Sequence, residues 1–181
     1  MSELLDESGG FVITGVMAAG KSTVADLLAR RFVRGVHLRG DVFRKMIVTG
    51  RDPISPTLGS EAIRQLDLRQ RLAANAANEY WRDGFTVVLQ DIYIGQSLSQ
   101  VVDRLDISPL FVIVLAPRQE AIAYREQHRG KTGYGDWTIE QHYSDLERET
   151  PHIGLWIDTS DLSPEETVEQ ILLRLPESGV K

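Results

Sequence analysis

At 181 residues the chain is long enough for one domain, residues 1–181, with a sizeable core and no need of staples. It has no cysteine, which excludes disulfides, thiolate metal sites and a cysteine nucleophile, and points to a reducing, cytoplasmic compartment. A net charge of −6 and a pI near 5.2 disfavour sequence-independent binding to nucleic acid, which relies on a basic surface.

The first residues, Met1 to Ser8, are acidic and poor in apolar side chains, unlike a secretory signal. No apolar run approaches the roughly 18 residues of a membrane span, so no membrane partner is expected. Phe11 to Thr14 is a short β-rich run, and Lys21 to Phe32 has helical spacing. Between them, Gly15-Val16-Met17-Ala18-Ala19-Gly20-Lys21-Ser22-Thr23 fits G-x-x-x-x-G-K-[ST], the loop that wraps nucleotide triphosphates. Gly15 and Gly20 let successive backbone N–H groups of the loop, including those of Ala18 and Ala19, point inward at phosphate oxygens. The first helical turn adds unpaired N–H groups and the positive end of its dipole. Lys21 is then expected on the β- and γ-phosphates of ATP, and the Ser22 hydroxyl on Mg²⁺.

Val36 to Leu38 reads as a second strand, followed by Arg39-Gly40-Asp41 and a short helix, Val42 to Val48. Asp41 is placed to accept a proton from an acceptor hydroxyl or to hold Mg²⁺ through water, and it can equally cap the helix. Arg44, one turn on, is a candidate for a polar or anionic group of the acceptor. Thr49 to Gly59 is a long turn-rich loop expected to shape the acceptor side. Ser60 is a candidate cap for a long helix whose inner face would carry Ala62, Ile63, Leu66, Ala73, Ala77 and Tyr80, ending near Asp83-Gly84.

Thr86 to Leu89 is a third strand, and Gln90-Asp91 follows it. An apolar run ending in an acid organises Mg²⁺ in many enzymes with this loop, so Asp91 is expected to touch either metal-bound water or the acceptor. Leu110 to Leu115 is apolar throughout, as a parallel strand covered on both faces should be. Beyond it come Arg118, Arg125 and Arg129 at helical spacing, then the glycine-rich run Gly130 to Gly135. This basic helix is expected to act as a lid that brings guanidinium to the transferring phosphoryl, with Arg118 on the nucleotide side. Thr138 to Gln141 and Ser163 to Glu166 are capping-box patterns, the second starting a last helix that runs to about Leu175. Leu155 to Ile157 reads as the fifth strand.

His37, His128, His142 and His152 show no metal-ligand spacing and read as structural or exposed. The tryptophans read as packing residues, with Trp137 near enough to the lid to touch a ligand. There is no G-x-S-x-G elbow, so a serine hydrolase has no support. Strands alternating with helices imply an α/β fold with a parallel sheet and right-handed crossovers, with ligands at the carboxyl ends of the strands.

Gly15 to Thr23, Gly40 to Phe43 and the arginine helix together resemble the P-loop small-molecule kinases, a group that includes shikimate, gluconate and adenylylsulfate kinases. Within it the chain is most similar to the chloramphenicol phosphotransferase family, through Gly40-Asp41-Val42, Arg125-Glu126-Gln127-His128-Arg129 and Ile157 to Ser160 ahead of the last helix. The resemblance implies a P-loop NTPase three-layer αβα sandwich with a five-stranded parallel sheet and a helical lid, and ATP-dependent phosphorylation of a hydroxyl. It further implies Asp41 as base and Arg125 and Arg129 as lid arginines. The core would span 10–116 and 153–176, the lid 117–150 and the acceptor side about 41–83. The expected partner is a small-molecule acceptor, an antibiotic or metabolite; no pattern specifies an oligomer. A nucleotide or nucleic-acid 5′-hydroxyl kinase and a nucleotide-dependent regulatory ATPase are the alternatives.

Overall fold

The computed structural model describes residues 5, 8–55, 57–128 and 137–181. Its centre is a five-stranded, all-parallel sheet in the order β2-β3-β1-β4-β5, made of β1 (Gly10–Gly15), β2 (Gly35–Arg39), β3 (Thr86–Gln90), β4 (Leu110–Leu115) and β5 (Leu155–Ile157). Every strand expected from the sequence is present, extended by a residue or two at β1, β2 and β3. Helices α1 (Lys21–Ala29), α2 (Asp41–Lys45), α3 (Ser60–Arg82), α4 (Gln96–Arg104), α5 (Gln119–His128), α6 (Ile139–Glu149), α7 (Pro164–Leu173) and α8 (Leu175–Ser178) fill the connections.

The sheet interior follows from composition. β1 and β3 are buried along their whole length and β4 at all but Phe111, because parallel strands covered on both faces can be apolar throughout. α1 sets Val24, Ala25, Leu28 and Ala29 against the sheet. α3 turns Ala62, Ala73, Ala74 and Ala77 inward, while Ile63 and Tyr80, expected inward, are exposed. The buried stripe of α3 runs through these alanines together with Gln65 and Asn78, and Ile63 and Tyr80 fall outside it.

Caps account for the helix limits. Both capping boxes form: Thr138 Oγ1 accepts from Gln141 N at 3.1 Å, and Ser163 Oγ from Glu166 N at 3.1 Å, with Pro164 at the first helical position. Ser60, by contrast, is the first helical residue of α3; Gly59 is the cap and no side-chain cap bond is made. The last helix stops at Leu173, and a separate short turn, α8, carries Leu175.

Strand order brings β1 between β3 and β4, so the chain leaves neighbouring strands in opposite directions there, and a crevice opens at their carboxyl ends. Thr14 fixes that rim. Its hydroxyl donates to Tyr93 O at 3.0 Å and accepts from Tyr93 N at 2.8 Å, holding the segment after β3 beside the end of β1.

Candidate active site

A cavity of about 1110 Å³ lies at this crevice. One side is the loop between β1 and α1. Gly15 is at φ +140°, and a Cβ there would sit 2.4 Å from Leu115 O, so the close approach of β4 demands glycine. Gly20 caps α1 at φ +94°, with open space around it; there glycine is needed for the left-handed backbone alone. Ala18 adopts φ +60° between them, a conformation that costs an L-residue roughly 1–2 kcal/mol. The loop is a backbone ring, and Met17 to Val24 all line the cavity.

Lys21 is buried, and its ammonium donates to Gly15 O at 2.9 Å and Val16 O at 2.6 Å, curling over the loop. Ser22 is exposed on the first turn of α1, and its hydroxyl donates to Gln90 Oε1 at 3.1 Å. Gln90, at the end of β3, therefore stands against Ser22, one residue before the Asp91 singled out from the sequence. Ser22 Oγ and Gln90 Oε1 are oxygen donors side by side at the phosphate loop, the ligand chemistry that suits Mg²⁺. Among the described residues no group of three or more His, Cys, Asp or Glu could hold a metal by itself.

Asp41 lies at the start of α2 and lines the opposite side. One of its oxygens accepts from Lys45 Nζ and Oδ1 lies 3.4 Å from Arg39 Nε, while Oδ1 accepts no hydrogen bond among the described residues. Burial pushes its carboxyl upward, but the Lys45 hydrogen bond and the charges of Arg39, Lys45 and Arg69 outweigh it and hold it below the usual 3.8. Asp41 is thus an ionised carboxylate across the cavity from the loop.

Asp91 is buried and held by Arg69 in a two-pronged pair, Nε to Oδ2 at 2.7 Å and Nη2 to Oδ1. Oδ1 also accepts from Ile92 N at 2.7 Å. Its partner is therefore an arginine on α3, while Ser22 donates to Gln90. Arg44 donates to the carbonyl of Asp52 and is not among the cavity-lining residues; with Gln65, which donates to Gly50 O at 2.8 Å and accepts from Asp52 N at 3.0 Å, it ties down the loop at 49–59. Ile54 and Leu58 of that loop form an apolar wall of the cavity.

On the other flank, Arg125 of α5 reaches both the phosphate loop and the segment after β5. It donates to Thr159 O at 2.5 Å and lies 3.5 Å from Ala19 O. Arg118 precedes α5, because the helix begins only at Gln119, and so does not share its face. Its guanidinium is exposed and pairs with Asp161 at 2.7 Å and Asp158 at 3.3 Å. Arg129 falls in 129–136, outside the described residues.

Arg39, Arg69, Gln90, His142 and Asp145 also line the cavity and escaped the sequence reading. Arg69 had a signal: it shares helical spacing with Leu66 and Ala73 on the inner face of α3. His142 looked structural, yet it stands beside Trp137, with ring centroids 4.5 Å apart; burial pushes its pKa down, Asp145 up and Lys21 down, with a net lowering. No helix among the described residues is long and apolar enough to cross a membrane.

A five-stranded parallel sheet in this order, with the glycine-bounded loop leading from its central strand into α1, defines the fold of a P-loop NTPase. Residues 12–151 match the AAA domain family, and the chain belongs to it. No curated protein matches the chain. Among solved structures it is similar to an unliganded sugar kinase from Janibacter sp. HTCC2649, with 17% identity over 94% of this chain and 96% of that one and a TM-score of 0.71. The APS kinase CysC of Mycobacterium tuberculosis in complex with AMPPNP and APS shares 16% identity over 95% and 99%, with a TM-score of 0.68. A gluconokinase from Sinorhizobium meliloti 1021 shares 18% over 93% and 91%, with a TM-score of 0.62. At these identities the likeness establishes the fold.

Proposed function

We propose that the protein is an ATP-dependent phosphotransferase that moves the γ-phosphoryl to a hydroxyl of a small molecule. One observation carries this reading: the phosphate loop and the Asp41 carboxylate face a single cavity, so donor and acceptor would share one space. The match to the AAA domain family and the kinase folds of the structural neighbours support it.

In this reading the loop amides and Lys21 hold the β- and γ-phosphates, with Lys21 exchanging its carbonyl partners for phosphate oxygens. Mg²⁺, held by Ser22 and backed by Gln90, would neutralise phosphate charge. Asp41 orients the acceptor hydroxyl and takes its proton as the O–P bond forms. Because its carboxyl is held low, it contributes alignment more than base strength, which suffices for a transfer dominated by positioning. Arg125, anchored against the loop, supplies a guanidinium to the transferring group, and α5 and α6 belong to the lid. Arg118 remains at the nucleotide edge through its contact with the segment after β5. The test is incubation of the chain with Mg-ATP and a metabolite and antibiotic library, read by mass spectrometry for gain of one phosphate. Transfer that disappears in Asp41→Asn while ATP binding persists is the expected result; ATP hydrolysis with no phosphorylated compound in any sample overturns the reading.

A further inference from the structure

Arg69 uses two of its three guanidinium nitrogens on Asp91. The third, Nη1, makes no hydrogen bond among the described residues and is not among the buried polar atoms left without a partner, so it opens to the cavity that Arg69 lines. The side chain is only 13% exposed and Asp91 only 3%, so the fork is fixed rather than solvated. The backbone closes on it from behind: a Cβ at Gly40 would lie 2.2 Å from Asp91 Oδ2, leaving the carboxylate no room to turn. Gly40 directly precedes Asp41, so the same strand end sets both the fork and the carboxylate facing the acceptor hydroxyl.

Charge on this side of the cavity is already spent. Arg69 is matched by Asp91, and Arg39 and Lys45 share the one carboxylate of Asp41. Asp145 on α6 adds a half-buried carboxylate that has no hydrogen bond or ion pair among the described residues. Three cations, Arg39, Lys45 and Arg69, thus stand with three carboxylates, Asp41, Asp91 and Asp145, so an anionic group finds no surplus cation, whereas an uncharged oxygen meets an oriented donor at no electrostatic cost.

We infer that Arg69 is an acceptor-binding residue whose Nη1 donates to an uncharged oxygen next to the reacting hydroxyl, that Asp91 is its positioning residue, and that the acceptor is accordingly neutral or amine-bearing rather than a carboxylate or phosphate ester. Ile54, Leu58 and Leu66 give that molecule an apolar wall to lie against. The inference rests on the phosphotransferase reading above. It concerns the acceptor half alone.

The experiment offers the full chain, with Mg-ATP, a metabolite library that includes matched sets: glucose, gluconate and glucose 6-phosphate; adenosine and AMP. Phosphorylated products are sorted by acceptor charge. Uncharged or cationic acceptors are expected to lead, by about tenfold or more in kcat/KM over any anionic counterpart. Preference for anionic acceptors overturns the inference and leaves the kinase reading intact; no phosphorylated product at all overturns both. For the leading acceptor, Arg69→Lys keeps a cation beside Asp91 but loses the fork, and should raise the acceptor KM roughly 10- to 100-fold while the KM for ATP holds. Arg69→Met with Asp91→Asn removes both buried charges together and should do the same without stranding a carboxylate. An acceptor KM unchanged in either folded variant also overturns the assignment.

Discussion

The two halves of the cavity are built from different materials. The phosphate side comes from one short run, Gly15 to Val24, and works through backbone: left-handed turns at Ala18 and Gly20, a glycine at Gly15 where β4 crowds the chain, and a helix start. The side proposed to take the acceptor comes from side chains on β2, α2, α3, β3 and α6, and its central pair joins Arg69 to Asp91. Backbone-built sites tolerate change at most side chains, whereas a site of interlocked ion pairs responds to each of its members and sets which molecule fits.

Single substitutions can separate the halves. The largest expected effect is Asp41→Ala: transfer should fall by about 10² to 10⁴ while ATP affinity, measured by calorimetry, stays unchanged. Arg125→Ala should lower kcat by on the order of 10³ in steady-state assays with little change in the acceptor KM, because its contacts are on the phosphate side. Gly40→Ala should cost about 1–3 kcal/mol in a denaturant melt, since its Cβ would collide with a carboxylate that cannot move, and should damage the acceptor side first. Ser163→Ala, which touches neither half, should cost only about 1 kcal/mol through its lost cap and leave both KM values as they were.

A pH profile sharpens the same comparison. The folded Asp41 carboxyl lies below its ordinary 3.8, so its ionised state, and the stability that goes with it, is present above that value and is lost only as pH falls through the folded value. Activity that depends on Asp41 should therefore persist to unusually acid pH within the range where the fold survives. Lys45→Ala withdraws the main favourable hydrogen bond and should move the acid limb of kcat/KM upward. A limb that stays put would separate Asp41 from the rate.

The five strands, both capping boxes and the phosphate loop were legible because each is a local pattern: apolar runs, a serine or threonine three residues before a glutamate or glutamine, and glycines where φ must be positive. The less accurate readings came from longer range. Arg118 looked like a partner of Arg125 by helical spacing, but the helix begins after it and the acids behind β5 draw it away. Ile63 and Tyr80 recur at helical intervals, yet the buried stripe of α3 runs through the alanines, Gln65 and Asn78 and leaves them exposed, because packing against the rest of the fold decides which stripe is covered. The meeting of Ser22 with Gln90 and of Arg69 with Asp91 joins residues on different elements, and no local pattern carries either contact.

By itself, then, the sequence determined that a phosphate-binding loop joins a buried strand to a helix in an α/β chain, because turn chemistry and hydrophobic period act over a few residues. Tertiary structure alone decided that Arg69 is locked to Asp91, that Asp41 faces the loop across one cavity, and that the cations there are already matched. Those contacts join residues far apart in the chain, and no spacing rule encodes which charges will meet once the sheet has brought its strand ends together.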